Sequence, residues 1–293
     1  MKMNLNVDDI RAFAQELGAD LVGFADWMEL EETAPDYDKP SLHTSHLTTL
    51  IVLARRTSIG IAGCKNSAVQ QYALGRSLAV LEEVASKLAY HVESKGHSAT
   101  VVSTLVPDSR TQPAGFASPA GQGSALIRQA AVNAGLGTLG LNGMLITPQF
   151  GPRVKLMGVL TNLRVKTDQP LNAQLCIGAE KCGRCIRACP VDAIPAISEA
   201  KTLADSIAAF RADACAKRCQ PTGPEALVSY MRKLASLAPE ERKEHVMGSD
   251  EIQRLFHALV VLRHSAFTGC MECETACPVG DDFPRLERWM LNQ

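Results

Sequence analysis

Two stretches of this chain echo each other: Cys176-Ile-Gly-Ala-Glu-Lys-Cys182-Gly-Arg-Cys185-Ile-Arg-Ala-Cys189-Pro190 and Cys270-Met-Glu-Cys273-Glu-Thr-Ala-Cys277-Pro278. Both end in C-x2-C-x3-C-P. That tail closes the ligand run of 4Fe–4S clusters, in which the last Cys of one group ligates the cluster of the other. A cubane needs four thiolates at the corners of a tetrahedron, and a C-x2-C turn presents two of them from one short loop. The x3 step then starts a helix that carries the next thiolate toward the second cluster. The Pro after it restricts the backbone of that Cys and fixes where the chain leaves.

Crossing the two groups assigns Cys176, Cys182, Cys185 and Cys277 to a first cluster. A second takes Cys189, Cys270, Cys273 and one of Cys215 or Cys219, which lie between the groups. Cys219 is preferred, being closer in sequence to Cys270 and followed shortly by Pro221. Each group departs from the full bacterial ferredoxin run. Five residues stand between Cys176 and Cys182 where two are usual, and the second group's missing Cys is far upstream. Disulfides would need an oxidising compartment, and nothing in the sequence points to one. Zinc sites prefer two C-x2-C pairs and lack the repeated x3-C-P.

Composition narrows the class. A chain of 293 residues suits one or two domains, and 46% apolar content is ordinary for a soluble globular protein. A formal net charge of −1 offers no bulk electrostatic case for nucleic acid or an anionic membrane. The opening Met-Lys-Met-Asn-Leu-Asn-Val-Asp-Asp lacks an apolar signal core, and no run approaches a membrane span. Arg55-Arg56 sits mid-chain after an apolar run, so an export reading of that pair fails. Reduced cysteines without a signal predict a cytoplasmic protein.

The remaining elements follow from periodicity. Residues 7–17 form an amphipathic helix with Asn6 as N-cap and Gly18 as stop. Strands are expected at Leu21–Ala25, Leu47–Ala54, Ala99–Ser103, Met144–Thr147 and Val154–Thr161. Ser67–Ser94 has a long helical pattern that stops at Gly96, and Ser124–Ala134 is a short helix. Residues 26–46 read as loop, and His43 and His46 there are surface residues rather than ligands. Cys64 stands alone and is a buried or idle thiol. Residues 195–269 read as helices that bring Cys270 back toward Cys189. Residues 104–123 form a loop long enough to be functional, with Asp108, Arg110 and Gln112 as its polar groups.

Between the short helix and the last strands runs Gly135-Leu136-Gly137-Thr-Leu-Gly140-Leu-Asn142-Gly143. It follows a helix and leads into strands, the reverse of the dinucleotide-binding order, so that reading is rejected. Its glycines allow either close backbone approach to a flat ligand or simply tight turns. The same choice applies to Gly151-Pro152-Arg153.

Together, Ala134 to Arg153, running on to Leu160-Thr-Asn-Leu163, and the cysteine array with Gly269 to Pro278 resemble a superfamily. It is that of the cobalamin-dependent reductive dehalogenases and epoxyqueuosine reductases. The resemblance implies an α+β chain: a nitroreductase-like cobalamin-binding α/β domain over 1–170, then a two-cluster ferredoxin-like domain over 171–293. The latter would carry the helical insert at about 195–269. It further implies two 4Fe–4S clusters, a corrinoid and electron flow from the outer cluster to the inner one and then to cobalt. The donor would be an external low-potential carrier, a ferredoxin or flavodoxin. On this view Gly135, Leu136, Gly137, Gly140, Asn142 and Gly151 lie at the corrinoid, with Arg153 on a phosphate or propionamide.

Two family features are missing. The catalytic Asp of the epoxyqueuosine reductases aligns with Gly121, and their Tyr-x-x-Gly-x-Asp-Tyr-His element is reduced to Tyr72-Ala-Leu-Gly75-Arg-Ser77. The expected proton donor is therefore Tyr72, with Arg110 polarising the substrate and Asp108 beside it on the loop. A near-neutral chain fits a small organic substrate better than tRNA. The expected activity is a cobalamin-dependent iron–sulfur reductase. The alternatives are a non-catalytic corrinoid-reducing or electron-transfer protein and an epoxyqueuosine reductase.

Overall fold

The computed structural model describes residues 5–32, 34, 39–43, 46–102, 125–196, 198–199, 203–219, 224–256 and 270–292. Its centre is a four-stranded sheet in the order β1-β2-β6-β3, antiparallel throughout. The strands are β1 (Leu21–Asp26), β2 (Thr49–Arg56), β3 (Ala99–Val102) and β6 (Val154–Thr161). A separate two-stranded hairpin pairs β4 (Thr138–Leu139) with β5 (Leu145–Ile146).

The period-2 alternation of side chains sorts the strand residues onto two faces. Ile51 and Leu53 of β2, with Met157 and Val159 of β6, pack beneath helices Val7–Glu16 and Ser67–Ser94. Leu50, Val52 and Ala54, with Val154, Leu156 and Leu160, pack on the opposite face against helix Ala125–Asn133 and Trp27. Buried on both faces, β2 and β6 therefore read as continuous apolar runs rather than alternating ones.

The helix caps behave as the sequence predicts. Asn6 accepts from the Asp9 amide at 2.8 Å, and Gly18 leaves the first helix at φ +113°, where a Cβ would be strained. The helix Ser67–Ser94 has the predicted bounds. The hairpin strand β4 is an addition, since two residues are too short for a periodic signal. The predicted loop 26–46 contains a turn of 3-10 helix at Met28–Leu30 and a helical turn at Pro40–His43.

After Thr161 the described residues contain helices and no strands. Segments Gly178–Lys181 and Arg184–Ala188 follow the first thiols, and Glu272–Thr275 lies among the last, packed on Arg184–Ala188. Between them come helices at Leu203–Ala208, Ala212–Cys219, Pro224–Ser236, Pro239–Gly248 and Asp250–Phe256. A ferredoxin-like cysteine pattern thus occurs here without sheet among the described residues.

Ties near both ends of this region join it to the sheet body. Asp168 takes a bidentate pair from Arg11 at 2.5 and 2.6 Å and accepts from the Phe24 amide, so the chain stays on the sheet as far as residue 168. Near the chain's end, helix Phe283–Leu291 lays Trp289 over Gly63, where an added Cβ would lie 1.5 Å from the ring. Among the described residues no helix is long and apolar enough to cross a membrane.

Candidate iron–sulfur site

The folding of the chain brings thiols from distant stretches of sequence together. Cys176, Cys182, Cys185 and Cys277 line one cavity of about 390 Å³, counting the space open to solvent. Cys277 reaches it from the far end of the sequence. Leu141, Asn142 and Ile146 of the β4–β5 hairpin form the opposite wall. Burial first, and then the charges of Cys176, Cys277 and Cys182, push the Cys185 thiol up to about 12. Mutual repulsion of that kind is what a cationic iron core relieves, because metal binding takes the thiolate form.

Among the described residues, no three His, Cys, Asp or Glu side chains converge tightly enough to hold a single ion. A mononuclear zinc site brings every sulfur to about 2.3 Å from one point. Four cysteine thiols around one cavity are the donor type and number that a 4Fe–4S core takes.

The second set is crowded. Cys215 lies within electrostatic reach of Cys273, Cys189 and Cys270, and its Sγ is 3.6 Å from that of Cys219. Cys219 touches Cys215 and Cys270 and faces Glu274. Both cysteines stand on helix Ala212–Cys219, four residues apart and hence on one face. The hydrogen bond from Cys219 holds the Cys215 thiol down; its counterpart raises Cys219 to about 12. The Cys270 thiol is raised chiefly by its bond with Cys219. Cys189 accepts from the Ala193 amide at 3.2 Å. Five thiols are therefore crowded together, with Cys215 near Cys189, Cys270 and Cys273 and Cys219 against Cys215 and Cys270. Distance along the sequence favours Cys219, and the contacts keep both cysteines beside the second set.

Asn142 links the two sets. It is buried, it lines the cavity of the first, and its side chain hydrogen-bonds Cys273 of the second. Sequence reasoning placed Asn142 at a corrinoid, and the structure places it between thiols.

Arg153 has a different task from the expected one. Its side chain is 1% exposed. The Nε and Nη2 groups bond Asp282 at 3.2 and 2.5 Å, and Nη2 also reaches the Val279 carbonyl at 2.8 Å. Nη1 donates to the carbonyls of Glu274 and Cys277 at 3.2 and 3.0 Å. A guanidinium has five donors, and all five are spent, so none remains for a phosphate or propionamide. Arg153 fastens the loop that presents Cys277. Beside it Lys155 pairs with the buried Glu274 at 3.2 Å.

The glycines serve packing in the same way. A Cβ on Gly137 would lie 2.1 Å from the Ile146 carbonyl oxygen, and one on Gly135 would lie 2.4 Å from that of Gln169. On Gly151, at φ +54°, it would lie 2.0 Å from the Val279 carbonyl oxygen; on Gly140 it would meet the end of Ile146. The close approach these residues permit is to the chain itself, and Leu136 belongs to the core. The turn-making alternative is the one the geometry supports.

Tyr72 is 52% exposed near the start of its helix and has no hydrogen bond among the described contacts. Asp108, Arg110 and Gly121 lie outside the described residues. Cys64 donates to the Asn66 carbonyl at 3.4 Å.

With this geometry in place, comparison with known proteins gives the class. No protein-family model matches the chain. The chain is homologous to two groups of reductases, the reductive dehalogenases and the epoxyqueuosine reductases. It is 31% identical over 137 residues to a tetrachloroethene reductive dehalogenase of Dehalobacter restrictus, covering 47% of this chain and 22% of that protein. It is 22% identical to an epoxyqueuosine reductase of Bacillus anthracis across 95% of this chain and 67% of the other. The fold is similar to that of the Streptococcus thermophilus epoxyqueuosine reductase, with a TM-score of 0.51, 17% identity and coverage of 94% and 66%. The chain spans about a fifth of the length of the dehalogenases it matches.

Proposed function

We propose that this protein is an oxidoreductase that passes electrons through two 4Fe–4S clusters to a corrinoid, for reductive chemistry on a small organic substrate. The carrying observation is the convergence of Cys176, Cys182, Cys185 and Cys277 on one cavity from opposite ends of a long sequence interval. In this reading those four hold the first cluster, and Cys189, Cys215, Cys270 and Cys273 hold the second, with Cys219 as an additional thiol. The clusters would supply single electrons at low potential, which a cobalt centre needs before it acts on a substrate bond.

The chain's own contributions are positional. Arg153 and Lys155 tie the Cys277 segment to β6 and its approach, so the two thiol sets keep a fixed separation. Asn142 orients Cys273 through its side-chain hydrogen bond. The corrinoid rests on the relatives, since the glycines and Arg153 are committed to the chain and do not form its cradle. We assign residues 1–170 to a nitroreductase-like domain and 171–293 to the cluster domain. An acidic or neutral low-potential carrier protein, a ferredoxin or flavodoxin, would supply electrons. A net charge of −1 favours a small substrate over tRNA.

The test is to titrate anaerobically reconstituted protein with hydroxocobalamin and follow the corrin absorption, then reduce with Ti(III) citrate in the presence of halogenated aromatics. Bound cobalamin that is re-oxidised by substrate supports the reading. The second reading, an electron-transfer or corrinoid-reducing protein, is favoured by the exposure of Tyr72, which leaves the expected donor in solvent. Bound, reducible cobalamin that no substrate re-oxidises would select it.

A further inference from the structure

Three buried or half-buried cations of the sheet body pair with carboxylates, and a fourth, next to the site, does not among the described residues. Arg11 has Asp168, Arg153 has Asp282 and Lys155 has Glu274. Arg128, on helix Ala125–Asn133, has no carboxylate among the described residues. Its guanidinium donates from Nη1 to the Gly143 carbonyl at 2.6 Å and makes no other hydrogen bond among the described residues. Burial alone lowers its pKa from the ordinary arginine value, with no charged neighbour contributing. Part of the side chain remains accessible. A desolvated cation with four unused donors is costly unless an anion meets it.

Its place gives the charge a purpose. Gly143 is the turn of the β4–β5 hairpin, and the neighbouring Leu141, Asn142 and Ile146 wall the thiol cavity. The guanidinium thus holds the turn of the hairpin that forms one wall of the thiol cavity. We infer that Arg128 is a binding residue for an anionic oxygen group, a phosphate or carboxylate, carried by the ligand that works beside the clusters. The planar fork suits bidentate recognition of either group. This inference rests on the reading that a ligand binds next to the clusters, but its test is separable from that reading. Two sources of the anion share this chemistry: the phosphodiester of a corrinoid nucleotide tail and the carboxylate of a substrate.

The experiment uses cluster-loaded full-length protein and the variants R128Q and R128K. Binding of hydroxocobalamin, of cobinamide, which lacks the phosphodiester, and of benzoate is measured by calorimetry. Thermal shifts with inorganic phosphate are recorded alongside. A phosphodiester source predicts that R128Q weakens cobalamin about tenfold or more and leaves cobinamide unchanged. A carboxylate source predicts unchanged cobalamin and a similar loss for benzoate. In both cases R128K recovers part of the affinity. If wild type binds no corrinoid, the corrinoid reading fails and the anion site is judged on benzoate and phosphate alone. Wild type indifferent to every anionic probe, or R128Q binding all of them like wild type, overturns the inference. If R128Q folds poorly, R128K decides: affinities equal to wild type for both anions also overturn it.

Discussion

The sheet body and the cysteine region are built by opposite means. The sheet is held by apolar layers above and below β2 and β6, each strand residue assigned to one face by alternation. Among the described residues the cysteine region has little comparable core: a small cluster of Ala62, Leu74, Met271, Phe283 and Leu286 joins it to the sheet body, beside polar ties through Arg153 and Lys155. A region of short helices with many half-buried thiols depends on what the thiols hold. The lesson is that its order should follow cluster occupancy, whereas the sheet should fold without iron.

The largest effect should come where the two regions meet. Arg153→Met leaves Asp282 and three carbonyls without their donor inside the protein, and breaking a buried ion pair costs about 3–5 kcal/mol. Chemical denaturation should show that loss, and iron bound through Cys277 should fall with it. If the variant keeps both stability and iron, the tie is not what positions Cys277. Next, Leu53→Ala removes a fully buried side chain between β2 and the long helices, at about 2–5 kcal/mol. Its folded fraction should still carry full iron, since the cost falls on the sheet alone. Iron loss out of proportion to unfolding would show that the regions are not separable.

A smaller effect is expected at Gly63. The first atom of an alanine side chain collides with the Trp289 ring, so helix Phe283–Leu291 must shift, at about 1–3 kcal/mol. Trp289 fluorescence should move in Gly63→Ala; an unchanged spectrum would mean the helix is free to adjust. Smallest is the exposed Lys233–Glu251 pair at 2.6 Å in the helical insert, where Lys233→Ala should cost under about 1 kcal/mol.

The same contrast governs what could be read beforehand. The strands and the Ser67–Ser94 helix were legible because burial imprints a period on the sequence. The cysteine groups stood out because their C-x2-C-x3-C-P spacing repeats. The roles of Arg153, Asn142 and the glycines were not, for their partners lie far along the chain: Arg153 meets Glu274 to Asp282. No local pattern announces that a guanidinium will be consumed by a distant loop. The choice between Cys215 and Cys219 is likewise invisible to local pattern, because the two stand on one face of one helix.

The central claim is that two clusters organise the cysteine region, and iron stoichiometry tests it most directly. Protein reconstituted anaerobically with iron and sulfide should hold close to eight irons per chain, as two cubanes require. Cys185→Ala and Cys215→Ala should each retain about half, and Cys219→Ala should retain all. Four irons in the intact protein, bound zinc in their place, or full loading in Cys215→Ala together with half loading in Cys219→Ala would contradict the account.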